Sequence, residues 1–183
     1  MMPLPPENIN ANITPREFEL LVKAYLQEIG SSINTFNVKH DVQLQREDGR
    51  YQIDVFVEFE LLGSDFKVLI ECKKHKDKVK RDVVQLLFDK IRATGAHKGM
   101  IFSTSGFQKG ALLYARKHGI ALIRIIEGKY TYFTKSRESR NFDPPTWVDL
   151  PKFVGEFITD EAICYLQNGH LEPLREFIMV NKE

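Results

Sequence analysis

The sequence has few cysteines and no long apolar run. Its two cysteines, Cys72 and Cys164, are too few for a disulfide framework, which favours a reducing, cytoplasmic setting. The apolar stretch GIALIRII is far shorter than the roughly 20 residues that a membrane-spanning helix needs, so no membrane association is expected. The N-terminal segment MMPLPPENINAN has neither a basic start nor an apolar core, so no signal peptide is expected.

An overall excess of charge is also lacking, since the formal net charge is +1. The chain as a whole is therefore no polycation, but its basic residues are unevenly placed. Residues 67–81 hold seven Lys or Arg against two acids, which suits a polyanionic partner or a solvated surface loop. With 183 residues, of which 43% are hydrophobic, the chain is long enough for one domain with a core.

The first helix is predicted from a cap and a periodic apolar face. Thr14 can cap the helix, Pro15 suits its first turn, and Glu17 completes a capping box. Apolar residues then recur at steps of three and four over residues 18–29, and Gly30 follows as a natural stop.

Alternating and continuous apolar segments predict five strands and two further helices. Strands at 36–44, 51–59 and 66–73 are joined by short turns, which predicts an antiparallel meander. A helix at 79–94, a strand at 99–104, a helix at 107–118 and a strand at 120–126 follow, which predicts parallel pairing of strands three, four and five. The predicted fold class is α/β, with an αβββαβαβ core whose mixed sheet is flanked by helices.

The chain is expected to divide into an N-terminal tail at 1–13, a main domain at 14–128 and a C-terminal extension at 129–183. The extension has a weaker pattern. A short strand and a proline-rich turn are expected in its first part, and helices at 159–167 and 174–179 in its second.

Asp54, Glu71 and Lys73 form the main candidate site. Glu71 and Lys73 share one face at the end of the third strand, and an antiparallel neighbour could bring Asp54 beside them. Two carboxylates and the backbone carbonyl of Cys72 offer the oxygen ligands that Mg²⁺ prefers, and Lys73 could orient or help deprotonate a water. The other interpretation is a surface ion pair of small value, which the spacing of these residues alone favours. The meander, the antiparallel adjacency, the basic segment and the following helix together favour a site.

Candidate contacts to a nucleic-acid backbone lie beside this trio. His75 could touch DNA or simply face solvent. The hydroxyls at the end of the fourth strand could bind phosphate or serve the turn between strand and helix. The predicted DNA-contacting residues are Lys74, His75, Lys76, Lys78, Lys80, Arg81, Ser103, Thr104 and Ser105.

The sequence resembles the Mrr-type catalytic domain of the PD-(D/E)xK restriction-endonuclease-like superfamily. The matching segments are EFELLVKAYLQEIG, YQIDVFV, VLIECKKHKDKV and VVQLLFDKIRATGAHKGMIFSTSGFQKGALLYARKHGI, which together span well over half of the chain in the family's order. One departure is that Gln52-Ile53 stands where the family often has proline or glycine before the aspartate.

The resemblance implies a restriction-endonuclease-like fold and metal-dependent cleavage of double-stranded DNA. It implies that Asp54 and Glu71 hold Mg²⁺, with Mn²⁺ as a substitute, and that Lys73 is the catalytic lysine. Glu17 matches an acidic position that supports the site, although it also suits the capping box. Gln85 matches a glutamine common in this group, and it could equally be an ordinary polar helix residue.

A restriction or defence endonuclease is the function that these residues favour. An inactive DNA-binding module of the same fold is the alternative from another class, and a structure-selective repair nuclease or junction resolvase is the alternative within the enzymes. A homodimer is expected if both DNA strands are cut, since one site cuts one strand.

Overall fold

The computed structural model describes residues 12–31, 33, 35–61, 63–128, 151–159, 162–167 and 169–179. Within these, a seven-stranded sheet has its strands in chain order from edge to edge. The strands are β1 (Asn37–Arg46), β2 (Gly49–Leu61), β3 (Ser64–Lys73), β4 (Lys98–Ser103), β5 (Ile120–Glu127), β6 (Phe153–Ile158) and β7 (Ile163–Leu166). The helices are α1 (Pro15–Gly30), α2 (Arg81–Thr94), α3 (Lys109–Lys117) and α4 (Glu172–Met179).

The strand directions confirm the predicted mixed sheet. The first three strands form an antiparallel meander, and β3, β4 and β5 pair in parallel. The parallel strands are connected through α2 and α3, as the alternation of strand and helix predicts. The carboxyl ends of β3 and β4 therefore lie side by side, with Lys73 opposite Ser103.

Apolar side chains cover both faces of the sheet. One face packs against α1 and α4, with Val22, Leu26 and Leu174 fully buried among strand residues. The other face packs against α2 and α3 through Leu87 and Ala111. The result is three layers, helix over sheet over helix, and the parallel strands are apolar on both sides as such a sandwich requires.

The start of α1 has the predicted capping box. The Thr14 hydroxyl accepts from the backbone N–H of Glu17, and the Glu17 carboxylate accepts from the backbone N–H of Thr14 at 2.8 Å. At the end of α2, Gly95 adopts the left-handed conformation expected of a stop, with φ of 67°. Local sequence signals thus set these two helix boundaries.

The first two strands change face along their length, which the regular alternation of β1 did not predict. Val38 packs in the layer under α1, whereas Val42 and Leu44 pack in the layer under α2. Asp41 lies between them with φ of 55°, in the left-handed region that non-glycine residues seldom adopt. The residues on either side of Asp41, His40 and Val42, pair with Val55 and Ile53 of β2. Asp41 therefore lies opposite Asp54, and the change of face falls at the candidate site.

The C-terminal part differs from its prediction at two elements, and one of them is β6, where no strand is predicted. The expected helix at 159–167 is wrong, because Ile163–Leu166 form β7, which pairs with β6. The expected helix at 174–179 is confirmed as the main part of α4. The strand and proline-rich turn expected before residue 151 fall outside the described residues. Of the helices in the described ranges, none is long and apolar enough to cross a membrane.

Candidate active site

The candidate site is an opening between β2 and β3. Their backbone ladder ends at the pair Val55 and Ile70, and one step further in the same register Asp54 comes opposite Glu71. Here a side chain replaces the ladder, since the Asp54 Oδ2 atom accepts from the backbone N–H of Cys72 at 2.7 Å. The two acids are therefore brought together, as antiparallel pairing predicts.

The backbone carbonyl of Cys72 is directed toward the same opening. In an extended strand the N–H and C=O of one residue point to the same neighbouring strand. The N–H of Cys72 faces Asp54 on β2, whereas the next carbonyl, that of Lys73, faces β4 and accepts from the N–H of Thr104 at 3.1 Å. Three oxygen-bearing groups, on Asp54, Glu71 and Cys72, thus border one opening.

Two ammonium groups hold the buried carboxylate of Glu71. The Lys73 Nζ atom donates to Oε1, and the Lys90 Nζ atom donates to Oε2 at 2.9 Å. Lys90, which lies on α2, also donates to the backbone carbonyl of Gln52 at 2.8 Å. Glu71 is 6% exposed, so this is a largely desolvated ion cluster and differs from the surface pair considered as the alternative.

The pKa values of the two acids are shifted in opposite directions, upward for Asp54 and downward for Glu71. Burial raises the pKa of Asp54, and the nearby charge of Glu71 raises it further, against the lowering effects of the Cys72 N–H and of Lys73. Burial also acts to raise the pKa of Glu71, but the hydrogen bonds and charges of Lys73 and Lys90 outweigh it and hold this pKa below its usual range. Asp54 is thus a half-buried carboxylate with too little positive charge around it.

Glu17 and Glu19 take different positions at α1. Glu17 is exposed and bound to Thr14 in the capping box. Glu19, two residues further along the helix, pairs with His40 of β1, and its charge also acts to raise the pKa of Asp54. Of these two acids, Glu19 is therefore the one whose charge reaches Asp54, while Glu17 forms the capping box.

Three hydroxyl residues at the end of β4 support the basic loop, residues 74–81 between β3 and the start of α2, from its buried side. Ser103, Thr104 and Ser105 are at most 3% exposed. The Ser103 hydroxyl donates to the carbonyl of Lys73, and the Ser105 hydroxyl donates to the carbonyl of Asp77 at 2.7 Å. These hydroxyls donate to backbone carbonyls of the neighbouring loop. Such bonds agree with a role in the turn, which is one of the two roles that the sequence leaves open.

The basic loop itself is displayed to solvent beside the site. Its exposed members are Lys74, His75, Lys76, Lys80 and Arg81, while Lys78 is half-buried. The backbone of Val79 anchors the loop, since its N–H bonds the carbonyl of Gly106 and its carbonyl accepts from Gln108, both at 2.9 Å. Gln85 is exposed on α2.

Two site residues, Lys90 and Glu19, are absent from the sequence-based prediction. Lys90 lies five residues beyond Gln85 on the same helix, and only the packing of α2 against the sheet brings it to Glu71. Glu19 is one of two acids in the first turns of α1, and the turn of the helix decides which faces the sheet. A lysine on the sheet-facing side of α2 is the sequence signal that could have indicated Lys90, and this signal is weak.

The donor set suits a hard divalent cation. Asp54 and Glu71 supply carboxylate oxygens and Cys72 a carbonyl, which are the ligand types of Mg²⁺ or Mn²⁺. In the part of the chain that the structure describes, no three His, Cys, Asp or Glu side chains converge on one metal position. A cation here would therefore rely on two carboxylates, backbone oxygen and water.

The fold and this opening define the class as a restriction-endonuclease-like nuclease domain. Residues 10–128 match the profile of the Mrr catalytic domain, described as a restriction endonuclease. The chain belongs to this family, since the match covers more than half of its length. No curated protein matches the chain.

The chain is similar to parts of several solved structures. The protein of unknown function AF1548 is 26% identical with a TM-score of 0.48, and the match covers 57% of this chain and 54% of that one. Can2 from Sulfobacillus thermosulfidooxidans, solved with cyclic tetra-adenylate, is 20% identical with a TM-score of 0.49, covering 59% and 32%. The MspJI restriction endonuclease, solved with a 27-mer oligonucleotide, is 18% identical with a TM-score of 0.41, covering 57% and 24%. The chain thus spans about half or less of the length of each.

Proposed function

We propose that this protein is a metal-dependent DNA endonuclease of restriction or defence type. The observation that carries the proposal is the convergence of Asp54, Glu71 and Lys73 at one opening, within a domain of the Mrr family. Chemistry at a phosphodiester requires charge compensation, a water and a means of handling its proton. Each of these requirements has a candidate group at this opening.

Asp54, Glu71 and the Cys72 carbonyl are the proposed ligands of Mg²⁺, with Mn²⁺ as a substitute. Such a cation, when bound, would acidify a water and offset negative charge on the phosphate. Asp54 is the group that gains most, because burial and the neighbouring acid disfavour its ionised form in the protein alone. Glu71 is already ionised and held in place by lysines.

Lys73 is the proposed catalytic lysine. Its ammonium shares a face of β3 with Glu71 and lies at the carboxyl end of the strand, where β2 no longer covers it. From there it can hold the attacking water or stabilise charge on a phosphate oxygen. Removing the ammonium should therefore abolish cleavage while leaving DNA contacts in the loop intact.

The basic loop is the proposed binding surface for double-stranded DNA. Lys74, Lys76 and Lys80 are exposed, and the Arg81 guanidinium lies 5.0 Å from the centre of the Tyr114 ring. Lysines at phosphates give affinity that falls steeply with salt and carries little sequence preference. His75 and Lys78 complete the loop, and Gln85 follows it on the exposed side of α2.

The homodimer expected from the sequence and the cytoplasmic setting belong to this proposal as well. Double-strand cleavage by a protein with one site per chain commonly uses two copies related by a two-fold axis. Sedimentation equilibrium with duplex DNA tests this, and a one-to-one complex that makes double-strand breaks would contradict it.

Conversion of supercoiled plasmid to nicked and linear forms tests the proposed function. We expect wild-type protein to cleave in Mg²⁺ or Mn²⁺ and to stop when EDTA is added. Asp54→Ala and Lys73→Ala should lose at least about 100-fold in rate, the size of a lost acid–base or electrostatic contribution. Lys117→Ala, which removes an exposed lysine at the end of α3, is the matched control and should cleave normally.

Two results would contradict the proposal in different ways. Equal cleavage by all four proteins would place the activity outside this site. Tight, salt-sensitive DNA binding without cleavage in any divalent metal would favour the inactive binding module. If branched substrates are cut and linear duplexes are spared, the protein is a structure-selective nuclease or junction resolvase.

A further inference from the structure

Lys90 occupies a position that the proposed chemistry does not use. Its side chain is 14% exposed, and its ammonium bridges the Glu71 carboxylate on β3 and the Gln52 carbonyl on β2. It therefore spans the gap that opens where the β2–β3 ladder has ended. A buried ammonium with two well-placed acceptors is a structural feature of the site and differs from a mobile surface lysine.

With Lys90 in place, both oxygens of Glu71 already have cationic partners. Lys73 donates to Oε1 and Lys90 to Oε2. A divalent cation that binds Glu71 must share or displace one of these ammonium groups. Lys73 is the proposed catalytic lysine, so Lys90 is the ammonium group that opposes the cation at Glu71 without a part in the proposed reaction.

The charge of the opening is balanced in the same way. Asp54 and Glu71 contribute two negative charges when both are ionised, and the ammonium groups of Lys73 and Lys90 contribute two positive ones. Glu19, the further acid whose charge reaches Asp54, has His40 as its partner. The two ammonium groups thus offset the two carboxylates that a divalent cation would use, which weakens its binding until phosphate groups add negative charge.

We propose that Lys90 is an internal counter-cation that holds Glu71 in the metal-free protein and weakens divalent-cation binding before DNA arrives. This inference rests on the proposed metal site, and it assigns Lys90 a positioning role outside the reacting groups. Lys90 fixes the carboxylate between β2 and β3 and keeps the opening assembled without metal. The same contact limits metal loading in the absence of a polyanion.

Mn²⁺ titration of the DNA-free protein by calorimetry tests the proposal. Lys90→Met removes the charge and keeps the length of the side chain, and it should bind Mn²⁺ at least about tenfold more tightly than wild type, since one positive charge a few ångströms from a divalent cation is lost. Lys90→Arg keeps the charge and should bind as weakly as wild type. Lys117→Met, with the same change in net charge on α3, should leave the affinity unchanged.

Protein stability in EDTA is the second measurement. Lys90→Met should lower the unfolding midpoint without metal and regain most of the difference in saturating Mn²⁺, whereas a purely structural lysine would lower it equally in both. If Lys90→Met does not fold, Lys90→Gln retains hydrogen-bonding groups without the charge and carries the same prediction for Mn²⁺ affinity.

Unchanged or weaker Mn²⁺ binding by folded Lys90→Met or Lys90→Gln would overturn the proposal. The proposed function stands in that case, provided that wild-type binding depends on Asp54 and DNA is cleaved. Conversely, tighter binding by Lys90→Met together with no cleavage by any protein would support the counter-cation and contradict the nuclease. Absence of Mn²⁺ binding in every DNA-free protein would overturn the counter-cation proposal, and the proposed function would fall as well if no protein cleaves DNA.

Discussion

Asp54 and Glu71 are chemically alike, yet their surroundings set them to different tasks. Asp54 has one N–H donor and a neighbouring acid, and burial raises its pKa. Glu71 has two lysines, and its pKa is held low despite burial. The site thus contains one carboxylate that lacks a cation and one that already has two, which is the asymmetry expected of groups poised for function.

The shift of Asp54 predicts that removing its charge stabilises the metal-free protein. Folding raises the pKa of this carboxyl above its usual value of 3.8. Its contribution to the stability of the fold therefore becomes unfavourable as the pH rises from 3.8 through the pKa of the folded state. Asp54→Asn should therefore be as stable as wild type at pH 3 and more stable at pH 7 in EDTA. Urea unfolding at the two pH values measures this, and equal loss of stability at both would contradict it.

Glu71 should show the opposite behaviour. Its pKa is lowered by Lys73 and Lys90, so its contribution is present above its usual value of 4.5 and is lost as the pH falls through the folded value. Glu71→Gln should cost about 1–3 kcal/mol at pH 7, as for a lost hydrogen-bonded charge, and less at pH 3. The same urea series decides the matter, and a stabilised Glu71→Gln at pH 7 would be inconsistent with the ion cluster.

At this scale the sequence predicts the strand-borne groups and misses the helix-borne ones. Asp54, Glu71 and Lys73 follow from pleat alternation and antiparallel register, which are local rules. Lys90 and Glu19 depend on how far each helix is rotated against the sheet, which is a tertiary property. Glu17 and Glu19 are two residues apart on α1, and the capping box uses Glu17 while the charge of Glu19 reaches Asp54.

Among the elements, β1 and β2 are shaped by the change of face at Asp41. The left-handed residue reverses the pleat, so Val38 and Val42 face different layers and Asp54 is placed at the opening. Strain of this kind persists where the surrounding structure enforces it, and it concentrates at functional sites. The sequence gives only a weak indication, since aspartate tolerates this conformation better than most residues.

Substitutions at Asp41 should separate backbone strain from side-chain contacts. Asp41→Ala and Asp41→Gly both remove the bond from the Gln52 amide to the Asp41 carboxylate. Only alanine meets the steric penalty at φ of 55°, so it should be less stable than the glycine variant by about 1 kcal/mol. Chemical denaturation gives the difference, and equal stability of the two variants would exclude a strained conformation here.

The basic loop depends on hydroxyls from the turn after β4. Ser105→Ala removes the buried hydroxyl that donates to the Asp77 carbonyl and leaves that acceptor without this bond. We expect a cost of about 1–2 kcal/mol and weaker DNA binding at unchanged net charge. Thr159→Ala, which removes a hydroxyl bonded to Ala162 at the β6–β7 turn, is a matched control for binding. Full DNA affinity in Ser105→Ala would show that the loop holds its shape without this bond.

Across the whole molecule, the sheet continues past the family's core into the C-terminal region. Strand β6 pairs along β5, and its Phe153 carbonyl accepts from the Tyr25 hydroxyl of α1 at 3.2 Å. Glu28 of α1 also accepts from the backbone N–H of Gly169 at 2.6 Å. The apolar layer between α1 and the sheet therefore contains residues from both the N-terminal and the C-terminal parts of the described chain.

Truncation after residue 128 should consequently disrupt folding. It removes β6, β7 and α4 and exposes apolar residues of β5, among them Ile123 and Ile125, which are fully buried. We expect loss of cooperative thermal unfolding and strong binding of a hydrophobic dye. A truncated protein that unfolds cooperatively near the full-length midpoint would show that the nuclease core is independent of this region.

The global architecture could be predicted from sequence up to β5 because short turns and strand–helix–strand units leave few topologies. Beyond it the signal weakens, since FVGEFI and ICYL are short and each is bounded by few turn residues. The sequence predicts a helix over ICYL, whereas the segment forms a strand because it pairs with β6. Strands this short are defined by their neighbours more than by their own residues.

The central claim is that the opening between β2 and β3 is a divalent-cation site. Crystals soaked in Mn²⁺, with anomalous data collected at the manganese edge, test it most directly. The account predicts a peak bordered by the carboxylates of Asp54 and Glu71 and the carbonyl of Cys72, and no peak in Asp54→Asn crystals. A wild-type peak elsewhere, or none at saturating Mn²⁺, would contradict it.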